Sequence, residues 1–269
     1  MKLALAQLRI EGGKVGANRE RARRAVEEAA SQDCALVCLP EIFTIGYFAF
    51  DSYPRAAEPV DGPTITELQE LAKAKEIAIL AGSIVEDLEA STAQGFETPA
   101  TEGYANTSVY IDATGEKRAI YRKQHLFGYE SAEQKLLTPG QSLTTVEDLG
   151  FTVGMTTCYD LRFPELYREL LDRGVTLTLV PSAWPYPRVE HWQLLPRARA
   201  VENLMYVAAV NGVGEFEEAS LLGRSAVYDP WGTAIATAGE RETLVTAKIE
   251  PEAVTERREE FPALSDRRR

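Results

Sequence analysis

Short apolar runs alternate with helical patterns through the first third of the chain, and this alternation limits the possible folds more than any other feature. The runs LALAQL, ALVCLP and IAILAGSIV are typical of buried strands. Between them, ANRERARRAVEEAA and TITELQELAKAK have the spacing of amphipathic helices. Strand, helix, strand, helix, strand is the order of an α/β fold. The sequence therefore predicts an α/β protein.

From about residue 104 the pattern changes to consecutive strands. YANTSVYID and KRAIYRK flank ATGE, whose Gly115 suits a tight hairpin turn. Part of the sheet is therefore antiparallel, which makes it mixed. Further on we expect a helix over about 164–173, a strand in VTLTLVP, a long helix around 189–204 and a strand in MYVAAVNGV. SAVYDPWGTAIATAG and TLVTAKI close the chain as a second hairpin-like pair.

A single domain is expected over residues 1–269. The chain is 45% hydrophobic, which can fill a sizeable core, and no linker rich in Gly, Pro or Ser divides it. A charge-dense tail follows from about residue 250, and such a segment is more often a solvated or partner-covering end than a site. The runs ALVCLPEIF and TLTLVPSAW are both β-rich and end near a proline, which fits either coincidence or a duplicated layer.

Charge and hydropathy exclude several classes of partner. The net charge of −12 argues against a nucleic-acid backbone and against an anionic membrane surface. The start, MKLALAQLRI, is interrupted by Gln7 and Arg9 and does not resemble a signal peptide. No apolar run approaches the roughly 20 residues needed to cross a bilayer. Three cysteines do not form a disulfide framework, so a reducing, cytoplasmic setting is expected.

The stretch GMTTCYDLRFPEL places a cysteine, Cys158, after a strand and before a helix. A helix that begins near Phe163 and Pro164 could point backbone N–H groups towards the sulfur and lower the pKa of the thiol, so that a nucleophilic thiolate forms. The alternative is that Cys158 is a small buried hydrophobic residue, as most unpaired cysteines are. The residues alone leave both readings open.

The remaining cysteines and the histidines carry weaker signals. Cys34 and Cys38 have no redox spacing and are expected in the core. His125 and His191 are the only histidines, and neither has a metal-binding spacing with cysteines, so no zinc site is expected. Each is more typical of a structural hydrogen-bonding residue than of a ligand or a base.

Two charged residues directly follow apolar strands. Glu41 comes after ALVCLP and Lys123 after AIYR, and in open α/β sheets chemistry gathers at strand ends. A carboxylate and an ammonium group that converge on a thiol could act as general base and as stabiliser of an oxyanion. Taken singly, each charge is also explained as a solvated strand end.

Together, LPEIFTIGY, YRKQHLF and GMTTCYDLRFPEL resemble the nitrilase superfamily of carbon–nitrogen hydrolases, and the similarity extends over about residues 2–250. The resemblance implies a four-layer α-β-β-α sandwich with two mixed sheets. It also implies that Glu41 is the general base, Lys123 the oxyanion-stabilising lysine and Cys158 the nucleophile, with the backbone N–H of Tyr159 as a second oxyanion donor. The expected product is a carboxylate and ammonia, formed through a cysteine thioester.

The family also uses a second glutamate after the lysine motif. In SAEQKLLTPG this is Glu133, and Glu130 is the weaker candidate because the register of E-x-K-x-L-T-P-G fits Glu133 better. By resemblance no cofactor or metal is needed, and a homodimer or a higher homo-oligomer is expected.

Substrate choice is read from the stretch SAWPYPRVEHWQLLPRARAVENLMYVAAVNGVG, which resembles bacterial omega-amidases that hydrolyse the terminal amide of 2-oxoglutaramate or 2-oxosuccinamate. Arg188 is the candidate to hold a distal carboxylate, and Trp184 and Tyr186 are candidate pocket walls. The alternatives are a short-chain aliphatic amidase, an N-carbamoyl amidohydrolase, and a non-catalytic binding protein of the same fold.

Two ion pairs are predicted to support the site. Asp160 and Arg162 are expected to pair and to brace the turn after Cys158, and Arg199 with Glu202 to act similarly from the long helix.

Overall fold

The computed structural model describes residues 1–128 and 131–268, and its strands and helices follow the predicted alternation closely. The strands are β1 (Lys2–Gln7), β2 (Leu36–Cys38), β3 (Ala78–Asp87), β4 (Tyr104–Ile111), β5 (Lys117–Arg122), β6 (Thr145–Asp148), β7 (Phe151–Met155), β8 (Leu177–Ser182), β9 (Tyr206–Asn211), β10 (Val213–Glu215), β11 (Ser220–Leu222), β12 (Ala226–Tyr228), β13 (Ala234–Thr237) and β14 (Thr243–Lys248). The helices are α1 (Val15–Ser31), α2 (Tyr53–Ala56), α3 (Pro63–Lys75), α4 (Leu88–Ala93), α5 (Glu133–Leu136), α6 (Pro164–Asp172), α7 (Val189–Asn203) and α8 (Pro251–Glu260).

Two six-stranded mixed sheets form the centre of the fold. The first has the order β14-β1-β2-β3-β4-β5 and the second β13-β12-β9-β8-β7-β6. In the first, β1, β2 and β3 are parallel, and the outer strands pair antiparallel. In the second, β7, β8 and β9 are parallel with antiparallel flanks. The expected mixed sheets are confirmed. The strands β2 and β8, which come from the similar runs ALVCLPEIF and TLTLVPSAW, are central strands of their respective sheets.

Helices cover the outer face of each sheet. In α1 the buried residues Ala22, Ala25, Val26 and Ala29 recur at helical spacing, and they pack with α3 on the first sheet. Residues of α6 and α7 join a core cluster that also contains the facing sides of both sheets. The layers are therefore helix, sheet, sheet, helix, and the predicted four-layer sandwich is confirmed.

The end of the chain departs from the expected hairpin. β12 and β13 do pair around residues 229–232, but TLVTAKI contains β14, which crosses to the first sheet and pairs antiparallel with β1. The two strands pair along their whole length, from Lys2 opposite Lys248 to Gln7 opposite Thr243. The charge-dense tail contains α8, whose Val254 is buried and whose Arg258 donates to the carbonyl of Val175 at 2.9 Å.

Among the described residues, none of the helices combines the length and the apolar character needed to cross a membrane.

Candidate active site

Glu41 lies just beyond the central strand β2, and its carboxylate is fully buried. Its Oε1 accepts hydrogen bonds from Lys123 Nζ at 2.9 Å and from Asn106 Nδ2 at 2.8 Å, and its Oε2 accepts one from the backbone N–H of Ala183 at 2.8 Å. Burial raises the pKa of Glu41, Lys123 lowers it and Glu133 raises it further, with a net increase. The carboxylate is thus fixed in place and is more basic than an exposed one.

Lys123 follows β5 and lies between two carboxylates. Its Nζ contacts Glu41 Oε1 at 2.9 Å and Glu133 Oε1 and Oε2 at 2.8 and 3.1 Å, and it lies 5.3 Å from the ring centre of Tyr47. Burial alone lowers the pKa of Lys123, but Glu133 and Glu41 outweigh it and raise the pKa well above the usual value. The side chain is therefore an ammonium group.

Glu133 is the first residue of α5 and is fully buried. Besides Lys123, its Oε2 accepts hydrogen bonds from the Tyr47 hydroxyl at 3.0 Å and from the backbone N–H of Phe127 at 2.6 Å. The predicted second glutamate thus lies beside the predicted lysine. Its weaker competitor, Glu130, lies outside the described residues.

Cys158 begins a 3₁₀ turn, Cys158–Arg162, directly after β7 and two threonines. Its backbone has a φ of 47°, in the left-handed region, and Ile42, next to Glu41, has a φ of 42°. Residues other than glycine avoid this region, so both positions store strain. The side chain is almost completely buried, with 9% exposure.

The ionisation state of Cys158 corrects one expectation from the sequence. Burial raises the pKa of the thiol well above its usual value, and the nearby Glu41 carboxylate adds to the increase, while Lys123 and the Ala183 N–H oppose it. Helix α6 begins at Pro164, as expected, but the pKa of the thiol is raised and not lowered, so the interpretation in which the helix N-terminus lowers it is wrong. The structure instead pairs a neutral thiol with a carboxylate that can accept its proton.

The turn that carries Cys158 is braced by Asp160. The Oδ2 of Asp160 accepts hydrogen bonds from the Tyr121 hydroxyl at 2.6 Å and the Thr157 N–H at 2.9 Å. Its Oδ1 accepts from the His125 N–H at 3.0 Å and lies 2.9 Å from His125 Nδ1. One buried carboxylate therefore ties β5 and the segment after Lys123 to the nucleophile turn.

The predicted ion pair between Asp160 and Arg162 is wrong for the described chain. Residues two apart on a helical turn do not face each other. Arg162 instead contacts His191 Nδ1 at 3.1 Å, and its guanidinium carbon lies 5.1 Å from the ring centre of Trp184. Both histidines act as hydrogen-bonding residues, as expected.

Arg199 supports the same turn from α7, as predicted. It donates from Nε and Nη2 to the carbonyl of Leu161, at 3.1 and 2.8 Å, and pairs with Glu202 at 2.8 Å. A carbonyl near the end of the 3₁₀ turn thus receives a charged donor, which stabilises the turn.

Replacing Asp160 by asparagine is expected to lower the free energy of unfolding by about 1–3 kcal/mol, because the amide leaves part of this buried network unsatisfied. It should also lower kcat, since the nucleophile turn loosens. Asp148→Asn is the matched control, because Asp148 also accepts a tyrosine hydroxyl, that of Tyr110 at 2.8 Å, but on the edge strand β6. Urea denaturation and steady-state kinetics should show a loss of stability in both variants and a loss of kcat only in Asp160→Asn.

A cavity of about 340 Å³ opens onto Cys158 and Lys123. Tyr159, Trp184, Tyr186 and Arg188, all predicted from the sequence, line it. Two guanidinium groups therefore face the same cavity, because Arg162 lines it as well. Glu218 of the β10–β11 hairpin and Phe48 also line the cavity.

The predicted pocket residues differ in how firmly burial and contacts hold their side chains. Trp184 is almost fully buried, and its indole N–H donates to the carbonyl of Arg188 at 3.1 Å, so it is a rigid wall. The guanidinium carbon of Arg188 lies 5.6 Å from the ring centre of Phe127. Tyr159 is the second residue of the 3₁₀ turn, where no preceding helical carbonyl is available to its N–H.

Sequence reasoning missed three contributors: Asn106, Tyr47 and the backbone N–H of Ala183. Tyr47 ends the quoted stretch LPEIFTIGY and Ala183 follows β8, so position relative to known motifs was the available signal for both. Asn106 lies inside β4, and no signal in the sequence marked it.

The described residues contain no cluster of three or more His, Cys, Asp or Glu side chains suited to a metal ion.

Known proteins resemble the chain over nearly its whole length. Residues 2–259 match the family described as carbon–nitrogen hydrolase. A 2-oxoglutaramate amidase of Paenarthrobacter nicotinovorans is 38% identical over 87% of this chain and 78% of its own, and the human omega-amidase NIT2 is 35% identical over 99% and 95%. A solved CN-hydrolase superfamily protein of Xanthomonas campestris matches with a TM-score of 0.88 and 32% identity, covering 100% of this chain and 97% of that one.

These matches agree with the family resemblance of the three motifs and with the four-layer fold. The predicted amidase activity is confirmed at the level of the family and its amidase relatives. The chain belongs to the carbon–nitrogen hydrolase family.

Proposed function

We propose that this amidase hydrolyses the terminal carboxamide of a short substrate that carries a carboxylate at its other end, as in 2-oxoglutaramate. The observation that carries the proposal is the lining of the cavity, which combines Cys158 and Lys123 with two arginines, Arg162 and Arg188. Planar guanidinium groups bind carboxylates well. Its volume of about 340 Å³ suits a small molecule.

In the proposed first half-reaction, Glu41 accepts the proton of the Cys158 thiol while the sulfur forms a bond to the amide carbon. The negative charge that develops on the carbonyl oxygen is held by the Lys123 ammonium and the N–H of Tyr159. The C–N bond then breaks, Glu41 returns its proton to the nitrogen, and ammonia leaves. A thioester on Cys158 remains.

In the second half-reaction Glu41 takes a proton from water, whose oxygen attacks the thioester carbon. The C–S bond breaks, Glu41 gives its proton to the sulfur and restores the thiol, and the carboxylic acid product leaves and releases its proton to solvent. Glu133 does not touch the reacting atoms in this scheme. It holds Lys123 by two hydrogen bonds and keeps it charged.

The names of the two curated relatives support the choice of substrate, since one is a 2-oxoglutaramate amidase and the other an omega-amidase. The choice of substrate is tested by measuring ammonia release from 2-oxoglutaramate, glutamine, propionamide and an N-carbamoyl amino acid. The highest kcat/KM is expected for 2-oxoglutaramate. Preference for propionamide or the N-carbamoyl compound would overturn the assignment. A non-catalytic binding role would be indicated if no acyl adduct on Cys158 could be trapped and detected by intact mass.

Arg188→Gln is expected to raise KM for 2-oxoglutaramate by about ten- to a hundredfold, the range for losing a charge-assisted contact, and to change kcat little. Adding Arg162→Gln should raise it further. Neither change should affect propionamide, which has no carboxylate. Arg24→Gln is the control: Arg24 is an arginine of α1 that pairs with Glu20 and does not line the cavity. An equal loss of kcat/KM on 2-oxoglutaramate and on propionamide would mean that the arginines only support the fold.

Three further features belong to the proposal. The chain acts as a single domain over 1–269, and its three free cysteines fit a cytoplasmic setting. Exposed apolar side chains on α7, Leu194 and Val201, and near the tail, Trp231 and Phe261, fit a homodimer or a higher homo-oligomer. Light scattering of the full chain measures its assembled mass.

A further inference from the structure

Asn106 contacts three members of the site at once. It lies in β4, is 1% exposed, and its carbonyl accepts the backbone N–H of Lys123 at 2.9 Å. Its side-chain Nδ2 donates to Glu41 Oε1 at 2.8 Å and to Glu133 Oε1 at 3.3 Å. One residue therefore joins the two carboxylates, through its side-chain amide, and the strand end that carries the lysine, through its backbone carbonyl.

The charges around Glu41 explain why such a donor matters. Among the described residues, the titratable groups that interact with Glu41 include Lys123, Glu133, the Cys158 thiol and the phenols of Tyr47 and Tyr53, and the Tyr47 hydroxyl also donates to Glu133. Lys123 is the only cation in this set, and it faces two buried carboxylates. Its ammonium group cannot fully compensate both, so neutral donors must stabilise the remaining negative charge.

The orientation of the amide is informative. With Nδ2 towards the carboxylates, Asn106 Oδ1 has no hydrogen-bond partner among the described residues. The opposite orientation would place an oxygen against two carboxylate oxygens, which repel it. A buried unpaired oxygen costs free energy, and the cost is tolerated here because both N–H bonds of the amide are used by the carboxylates.

We propose that Asn106 is a positioning residue that keeps Glu41 ionised and aimed for proton transfer from Cys158. The inference rests on the proposed role of Glu41 as general base. It assigns Asn106 no contact with the substrate. Its effect is on the protonation of Glu41, because hydrogen bonds to a carboxylate favour the charged form.

The test compares pH profiles of Asn106→Leu and of the parent protein. Without the amide donors, Glu41 should take up a proton more readily, so the acid limb of kcat/KM should move to higher pH. At pH values below the parent's optimum the loss is expected to be on the order of ten- to a hundredfold, as for the loss of a hydrogen bond to a charged group. Part of the activity should return at alkaline pH.

A second readout needs no amide substrate. The rate of Cys158 alkylation by 2-iodoethanol, which has no amide group, is followed by intact mass; it depends on the same proton acceptor and should show the same displaced acid limb. If the parent hydrolyses no amide but the alkylation limb still moves, the proposed function fails and the role of Asn106 stands. If both limbs stay in place, the role of Asn106 fails while the proposed function is untouched.

Asn203→Leu is the matched control. Asn203 is also a fully buried asparagine with an unpaired Oδ1, but its Nδ2 donates to the carbonyl of Arg199, away from the carboxylates. It should lose stability without a displaced acid limb. A uniform, pH-independent loss of rate in Asn106→Leu, matched by Asn203→Leu, would show that Asn106 serves only to stabilise the fold.

Discussion

Cys158→Ala is expected to abolish amide hydrolysis, with a fall in kcat on the order of 10⁵ to 10⁶, the range known for loss of the nucleophile in serine hydrolases. No other described side chain of the cavity is placed to form a covalent intermediate beside both Glu41 and Lys123. The measurements are ammonia release and intact mass after mixing with substrate. The acyl adduct of the parent should be missing from the variant.

The other two cysteines supply the controls for this experiment. Cys38 is fully buried in β2, and burial raises the pKa of its thiol well above the usual value; Cys34 is buried as well. Cys34→Ala and Cys38→Ala should retain the adduct. Turnover by Cys158→Ala at a rate near that of the parent would rule out the thioester mechanism.

Lys123→Met should cost both stability and activity, because it removes the ammonium group but keeps the length of the side chain. Two fully buried carboxylates, Glu41 and Glu133, then lose their cation. Breaking a buried pair in this way costs about 3–5 kcal/mol. The rate should fall at least 10²- to 10³-fold, the usual effect of losing one oxyanion donor. Urea denaturation and steady-state kinetics measure the two losses separately.

The pH dependence of this variant follows from the same charges. The pKa of Glu41 is raised by burial and lowered by Lys123, so without Lys123 its folded-state pKa lies further above that of the unfolded chain. Such a group destabilises the fold increasingly as pH rises through that window, so the stability deficit should shrink in mildly acidic solution. A deficit that stayed constant with pH would mean that lost packing, and not charge, is responsible.

A double variant separates the two roles of the lysine. Lys123→Met with Glu133→Gln restores the charge balance, so much of the lost stability should return. The oxyanion donor is still missing, so the rate should not recover. Recovery of both would indicate that Lys123 serves the fold alone and would remove it from the mechanism.

The residues that could be predicted from the sequence are those at strand ends. Glu41, Lys123 and Cys158 each follow an apolar run, and an ionisable side chain beyond a buried strand stands out in the sequence. The two similar runs at 35–43 and 176–184 were informative too. They contain β2 and β8, which meet at the site, where the Glu41 N–H donates to the Ser182 carbonyl at 3.4 Å.

The parts that could not be predicted depend on register and burial. Asn106 reaches Glu41 only because β4 pairs with β3 in a register that sets it opposite Val85. The Ala183 N–H is a backbone donor, and every residue type except proline carries one. The direction of the Cys158 pKa depends on how deeply the thiol is buried and on Glu41, which lies more than a hundred residues away in the chain.

The left-handed backbone at Cys158 and Ile42 lowers the stability of the fold at positions that the proposed reaction needs. Each conformation costs roughly 1–2 kcal/mol for a residue with a Cβ, and glycine could adopt it without that cost. Glu41, which precedes Ile42, and Cys158 perform the proposed proton transfer, so these two of the strained positions lie where the reaction needs a fixed geometry. A search for heat-resistant variants that scored stability alone would favour glycine at these two positions. It would select a protein that is more stable than its parent and has lost the amidase activity.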